Sequence, residues 1–256
     1  MTEIKMIVSD LDGTLLNEEH ILSKKTGEIL KAASALGIQL LIATGRSWNT
    51  ASRLLEKTEG VCAFVLLNGA EFRDSRGQLI FHEPIEPESA GRIIDYLLEQ
   101  KIGFEINTEL GDFATDTDLC VADHIEKLEA FGKSLPVLYK VFAFSKSPEK
   151  LEKARNYFSQ SKVLTITSSA DWNLEITSYR AQKGIMVEKV ASYYGISKEK
   201  ILVFGDGEND KSMFEKFPHT RAMGNAQPEL KALAEREIGT NGTDSVADEI
   251  QKILCG

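Results

Sequence analysis

The chain has 256 residues, 42% of them hydrophobic, and its 30 Lys+Arg against 39 Asp+Glu give a formal net charge of −9. That length buries a sizeable core in one or two domains, and the acidic balance excludes a dominant nucleic-acid or anionic-membrane surface while allowing a local basic pocket. No apolar run approaches the ~18 residues of a membrane span, and Met1-Thr2-Glu3-Ile4-Lys5 has no basic segment leading into an apolar one, which reads as a cytoplasmic protein.

In chain order, Met6-Ile7-Val8 is a short apolar run that stops at Ser9-Asp10-Leu11-Asp12-Gly13-Thr14. A helical pattern over 24–36 ends at Gly37, and Ile38-Gln39-Leu40-Leu41-Ile42-Ala43 is the next buried-strand candidate, closed by Thr44-Gly45-Arg46. A second helical pattern covers 48–57, after which Ala63-Phe64-Val65-Leu66-Leu67 ends at Asn68-Gly69. Near-continuous apolar strands separated by amphipathic helices predict a parallel sheet covered on both faces, a doubly wound α/β (Rossmann-like) arrangement. From Pro84 to Tyr179 the pattern changes. Strand candidates at 103–107, 137–144, 163–167 and 172–177 show apolar/polar alternation, which predicts one wet face, and helical patterns fall at 88–100, 122–133 and 148–160. The first style returns with a helix over 184–194, the run Ile201-Leu202-Val203-Phe204, and Gly205-Asp206-Gly207-Glu208-Asn209-Asp210. The organisation expected is a core of residues 1–83 and 180–256 interrupted by an inserted α+β cap domain at 84–179.

Asp10 and Asp12, two apart at the end of a strand, point to the same side, and their charges repel unless a cation lies between them. In open α/β sheets ligands bind beyond the carboxyl ends of the strands, and Asp10/Asp12, Thr44, Asn68 and Asp206 stand at four such ends. Any one of them alone is what a turn or helix cap would use; four together point to one site.

Asp10-Leu11-Asp12-Gly13-Thr14, Ala43-Thr44-Gly45-Arg46, Lys183-Gly184 and Gly205-Asp206-Gly207-Glu208-Asn209-Asp210 match, in order and context, the four motifs of the haloacid dehalogenase-like hydrolase superfamily. With Asn68-Gly69-Ala70 and the position of the insertion, the chain most resembles the Cof-type sugar-phosphate phosphatases, whose large cap lies between the second and third motifs. The resemblance implies Asp10 as the nucleophile that forms an aspartyl phosphate, and Leu11, Thr44, Gly45, Lys183 and Asn209 as contacts of the phosphoryl group. Asp12, on the same side two residues on, is near enough to protonate the leaving alkoxide and then to deprotonate the attacking water. The ligands on offer are hard oxygens without His or Cys, which suits Mg²⁺ held by Asp10, the Asp12 backbone carbonyl and Asp206, with Asp210 at the metal as well. Thr44 offers a hydroxyl, Gly45 a close backbone approach, and Lys183 a point charge to the same oxygens. Arg46 either holds its own loop or contacts the cap.

Other residues weigh less. Cys62, Cys120 and Cys255 are odd in number and lack CxxC spacing, so neither a disulfide framework nor a zinc site is expected. His20, His82, His124 and His219 are scattered without ligand spacing, so a His-centred mechanism is not expected. Gly205-x-Gly207 lacks the third glycine of a dinucleotide fingerprint. The cap carries no motif that fixes a substrate; Asp112, Phe113, Asp116, Tyr139, Lys140 and Asn173 are its candidates. Three functions stay open: a Mg²⁺-dependent phosphatase of small phosphorylated metabolites, a phosphomutase of sugar phosphates, or a non-catalytic phospholigand-binding module. The partner expected is a small-molecule phosphate ester, without nucleic acid or membrane, taken by a monomer or weak homodimer.

Overall fold

The computed structural model describes residues 3–58, 60–115, 126–127, 135–168 and 170–255. The chain divides into two units, Met1–Phe81 with Lys183–Gly256, and His82–Gln182. The first unit opens with β1 (Met6–Ser9), α1 (Lys24–Ala35), β2 (Gln39–Ala43), α2 (Trp48–Leu54) and β3 (Cys62–Leu66). Every residue of β1 and β3 is buried, as their continuous apolar runs require. Ser23 caps α1 by accepting a hydrogen bond from the Thr26 N–H at 3.0 Å. A hairpin follows that the apolar pattern does not announce: β4 (Glu71–Arg73) runs antiparallel to β3, and β5 (Leu79–His82) pairs with β4. Its turn is built by Asp74, whose carboxylate accepts from the Arg76 and Gln78 N–H groups, both at 2.9 Å.

The inserted unit contains α3 (Pro87–Glu99), β6 (Gly103–Thr108), β7 (Gly111–Ala114), β8 (Glu126–Lys127), β9 (Leu138–Phe144), α4 (Pro148–Phe158), β10 (Leu164–Thr167) and β11 (Asn173–Ser178). Its sheet has the order β10-β11-β9-β6-β7-β8. Phe104, Ile106, Val141 and Ile176 from the sheet form one core with Ile93 and Leu97 of α3 and Leu151 and Phe158 of α4. The strands do alternate, but the middle of the second face is not wet. The register aligns Glu105 and Glu175 with Phe142, and Asn107 and Thr177 with Lys140, and all four of these polar partners and Lys140 itself are buried. Charge pairing makes that burial tolerable, with Lys140 Nζ 2.9 Å from Glu175. The helix expected over 122–133 is described only at Glu126–Lys127, which are strand, paired in parallel with β7. An exposed edge recruits backbone partners irrespective of a short segment's helical periodicity. The remainder of that range, with Asp116 and Cys120, lies outside the described residues.

The chain returns through α5 (Lys183–Tyr193), β12 (Ile201–Gly205), α6 (Lys211–Phe214), β13 (His219–Ala222), α7 (Pro228–Leu233), β14 (Arg236–Glu237) and α8 (Ser245–Cys255). The sheet of the first unit reads β14-β13-β12-β1-β2-β3-β4-β5, parallel from β14 to β3. This is a doubly wound Rossmann-like core. The chain first builds outward from β1 to β2 and β3, then returns to build β12 and β13 on the other side of β1, so the order reverses between β1 and β12, the place where such sheets open a crevice. Ser9 pairs with both Ile42 and Phe204, so the carboxyl ends of β1, β2 and β12 finish at one level. Among the described residues no helix is long and apolar enough to cross a membrane.

α5 and α6 pack through a glycine. A Cβ on Gly184 would stand 2.1 Å from the Ser212 carbonyl oxygen, and the Gly184 N–H donates to Ser212 Oγ at 3.0 Å. Gly184→Ala therefore forces two backbones apart and should cost roughly 1–3 kcal/mol or more by overpacking, read as a lower urea midpoint at unchanged slope.

Candidate active site

β1 delivers Asp10 into the crevice, with its N–H on the Phe204 carbonyl at 3.1 Å. Its carboxylate accepts from Lys183 Nζ at 2.6 Å, and the same ammonium donates to Asp210 Oδ1 at 2.7 Å. Lys183 is the first residue of α5 and is wholly buried, where the sequence suggested a position just before the helix. The second oxygen of Asp210 accepts from the N–H groups of Asp206 at 2.9 Å and Gly207 at 3.0 Å, which folds the loop after β12 back on itself. Asp206 accepts at 2.8 Å from Thr14, and Gly13 makes room for it: with φ of +79°, a Cβ there would lie 2.3 Å from Asp206 Oδ2.

Asp10, Asp206 and Asp210 each offer a carboxylate oxygen within 4.8 Å of the others. Three carboxylates face one ammonium, and their electrostatics follow from that surplus. Burial pushes the Asp10 carboxyl well above its ordinary range; Lys183 opposes this, while Asp210 and Asp206 add to it. Asp206 is pushed up to about 6 by burial and then by Asp210, with Thr14 and Lys183 opposing. Burial would lower the Lys183 ammonium, yet Asp10 and Asp210 outweigh it and hold the group above its ordinary value. An all-oxygen, electron-rich cluster of this kind fits a hard divalent cation, which would relieve the surplus.

The loop after β2 supplies Thr44, buried, with its N–H on the Val65 carbonyl at 2.9 Å and its hydroxyl oxygen accepting from the Arg46 N–H at 3.1 Å. That acceptance leaves the hydroxyl hydrogen to donate elsewhere. Arg46 reaches across to Asp12, with Nε 2.6 Å from Oδ2 and Nη2 2.5 Å from Oδ1. Asn68, in the left-handed region at φ 59°, donates its N–H to the Thr44 carbonyl at 3.0 Å and accepts from Asn209 Nδ2 at 3.1 Å. The loops after β2, β3 and β12 are therefore tied together through one strained asparagine. Leu11 is fully buried, and its carbonyl accepts from Leu15 and Leu16, which closes the turn below the carboxylates.

The structure thus gathers Asp10, Asp206, Asp210 and Lys183 in one cluster and brings Asn209 to Asn68 and Asp12 to Arg46. Sequence reading gave no role to Thr14, although it stands in the quoted motif, nor to Asn225, whose Nδ2 holds the Gly13 carbonyl at 2.8 Å from 212 residues away without any local signal. It also set aside His20, whose Nδ1 lies 3.1 Å from Asp12.

A sequence profile of the haloacid dehalogenase-like hydrolases matches residues 7–250. The chain belongs to that family. Among the relatives of this hydrolase, phosphatase YwpJ of Bacillus subtilis is 30% identical, with 98% of this chain and 100% of that protein covered. The 5-amino-6-(5-phospho-D-ribitylamino)uracil phosphatase YwtE of the same bacterium is 32% identical, with 99% of each covered. A solved haloacid dehalogenase-like hydrolase from B. subtilis superposes with a TM-score of 0.88 at 28% identity, covering 97% of this chain and 99% of that one. One from Bacteroides thetaiotaomicron gives 0.87 at 22% identity over 98% of this chain and 100% of that one, a likeness of fold. The hydrolase is an enzyme that acts on phosphate esters.

Two outcomes follow from the cluster. Lys183→Met strands two buried carboxylates and should lower stability by roughly 3–5 kcal/mol in urea titrations, the penalty for breaking a buried pair from one side. Because the Asp206 carboxyl is raised to about 6 on folding, its contribution to stability without a cation is complete below the ordinary value near 3.8 and is lost as pH rises through about 6; Asp10, raised by burial, acts in the same direction. A Mg²⁺ ion held by the cluster would compete with those protons, so the rise in Tm on adding Mg²⁺ should be larger at pH 7.5 than at pH 5; an equal rise at both would contradict this electrostatic picture.

Proposed function

We propose that this hydrolase is a magnesium-dependent phosphatase of small phosphorylated metabolites, acting through an aspartyl phosphate on Asp10. The reading is carried by the Asp10 carboxylate, buried where the strand order reverses, with Lys183 on one oxygen and Asp206 and Asp210 beside it. The negative oxygens of a phosphate monoester repel nucleophiles, so they must be neutralised and positioned before attack. A carboxylate nucleophile divides the displacement into two easier steps. In the first, an Asp10 oxygen bonds to phosphorus as the ester P–O bond breaks, and Asp12 gives its proton to the departing alkoxide. In the second, Asp12 takes a proton from the water that attacks phosphorus, and orthophosphate leaves Asp10.

Lys183, the Thr44 hydroxyl, the backbone at Leu11 and Gly45, and the Asn209 amide are the groups we assign to the phosphoryl oxygens. Mg²⁺ held by Asp10, the Asp12 carbonyl and Asp206 would supply neutralising charge to the same oxygens. Asp210, both of whose oxygens already accept hydrogen bonds, orients the site from behind. The name of YwtE describes a phosphate on a ribityl chain. A phosphorylated sugar or polyol is the substrate class we assign here, and such metabolites belong to the cytoplasm. Selection among esters is assigned to the inserted unit, whose sheet carries the buried polar residues Glu105, Asn107, Lys140 and Glu175.

Asp10→Asn should lower orthophosphate release from a panel of phosphate esters by roughly 10³-fold or more while Tm does not fall, since the amide keeps the shape and relieves carboxylate crowding. A mutase would isomerise the ester instead, and a binding module would do neither. Chelation should silence release and Mg²⁺ restore it, with Ca²⁺ serving poorly because its looser, higher coordination misplaces the carboxylate. Full turnover in Asp10→Asn would overturn the assignment of the nucleophile.

A further inference from the structure

We propose that His20 is a positioning residue for this reaction, holding Oδ1 of the Asp12 carboxylate together with Arg46 so that Oδ2 is the oxygen that carries the transferred proton. The proposal rests on the phosphatase reading above, in which Asp12 is the acid and then the base.

Residues 17–21 form a tight turn that has no core to fill. The Asn17 carbonyl accepts from the His20 N–H at 2.9 Å, the Asn17 N–H donates to the Ile21 carbonyl at 3.1 Å, and Asn17 Oδ1 accepts from the N–H groups of Glu19 at 3.1 Å and Ile21 at 2.9 Å. Within it His20 is held at φ 57°, a left-handed conformation that costs free energy at any residue bearing a Cβ. Its ring is 63% exposed, so apolar burial does not account for that conformation. What the conformation does yield is the Nδ1 contact with Asp12 Oδ1 at 3.1 Å. Strain that a local network maintains without any packing return points to a functional placement.

The donors on Asp12 are distributed unequally. A carboxylate oxygen has two acceptor sites. Those of Oδ1 are taken by Arg46 Nη2 at 2.5 Å and by His20 Nδ1 at 3.1 Å in the tautomer with its proton on Nδ1, the one a carboxylate acceptor requires, whereas Oδ2 accepts from Arg46 Nε at 2.6 Å. The second site of Oδ2 is the place for a proton. As Asp10 bonds to phosphorus and the ester bond breaks, the electron pair on the departing oxygen takes up the proton from Oδ2, and the two donors on Oδ1 stabilise the carboxylate that remains. Without His20, Oδ1 keeps only one of its two donors, the hold of the Arg46 fork on the carboxylate is no longer reinforced, and the proton is delivered from a wider range of orientations.

The test uses the whole enzyme with Mg²⁺ and compares kcat/KM for p-nitrophenyl phosphate, whose leaving group needs no proton, with phenyl phosphate, whose leaving group does. kcat/KM covers the steps up to departure of the leaving group, so the later water attack does not enter. His20→Gly keeps the left-handed turn and removes the donor; His20→Asn keeps both, since Asn tolerates that conformation and its Nδ2 sits where Nδ1 did. The expected result is that His20→Gly loses about tenfold on phenyl phosphate and less than about twofold on p-nitrophenyl phosphate, that His20→Asn stays near wild type on both, and that neither change matters in an Asp12→Asn background. Equal losses of His20→Gly on the two esters, no loss on either, or an equal loss in His20→Asn would overturn the proposal while leaving the phosphatase reading standing. A wild-type enzyme that released orthophosphate from no ester would overturn that reading and this one with it.

Discussion

The site is organised around one buried ammonium. Lys183 is completely removed from water, which would be prohibitive for a lone charge, and it is tolerated because two carboxylates lie within hydrogen-bond reach. Each carboxylate in turn is the anchor of a different segment. Asp10 belongs to the end of β1 and Asp210 to the loop after β12, so a single side chain at the start of α5 joins the two sides of the switch point. Asp210 transmits the constraint further by accepting from the Asp206 and Gly207 N–H groups, which fixes the backbone of the loop. The motif loops of this hydrolase are one hydrogen-bonded body because their charges must be satisfied together.

The arrangement also leaves a deficit that is useful. One ammonium cannot balance Asp10, Asp206 and Asp210, and burial raises the carboxyls that remain. In a core fold built only for stability such a surplus would be a defect, replaceable by apolar packing at no loss. Here it raises the cluster's hold on protons and would suit a hard cation as well. The glycines follow from the same crowding: Gly13 yields to the Asp206 carboxylate, and Gly184 lets α5 approach α6 closely enough for Lys183 to enter the cluster.

Much of this was legible in the sequence because parallel strands buried on both faces must be continuously apolar, so the polar residues that end them stand out. Ser9-Asp10, Ala43-Thr44, Leu67-Asn68 and Gly205-Asp206 all fall at such junctions, and the order of α and β segments predicts the doubly wound core. What escaped had no periodic signal. The hairpin of β4 and β5 is made by an Asp74 turn rather than by a run of apolar residues. The polar face of the inserted sheet reads as solvent-facing by alternation alone, since pairing such as Lys140 with Glu175 depends on neighbours from different strands. Asn225 meets Gly13 only through the closure of the whole sheet.

The two carboxylates of the first motif show how one short sequence produces two chemical environments. Asp10 and Asp12 stand two positions apart in the chain, yet the first is 5% exposed and rests on a lysine, while the side chain of the second is 37% exposed and rests on an arginine. The difference arises at the end of β1: Asp10 still shares the register of the sheet, whereas Asp12 lies in the turn closed by Leu15 and Leu16 on the Leu11 carbonyl. An ammonium is a compact donor that can sit between two carboxylates deep in the fold, and a guanidinium is a planar fork that fixes the plane of one carboxylate near the surface. A buried nucleophile needs its charge held without being hydrated. A proton carrier needs a fixed plane and contact with solvent for the water it activates. The pairing of Asp10 with Lys183 and of Asp12 with Arg46 meets those two needs separately, and that separation is the physical basis for the different parts we propose for the two carboxylates in one displacement.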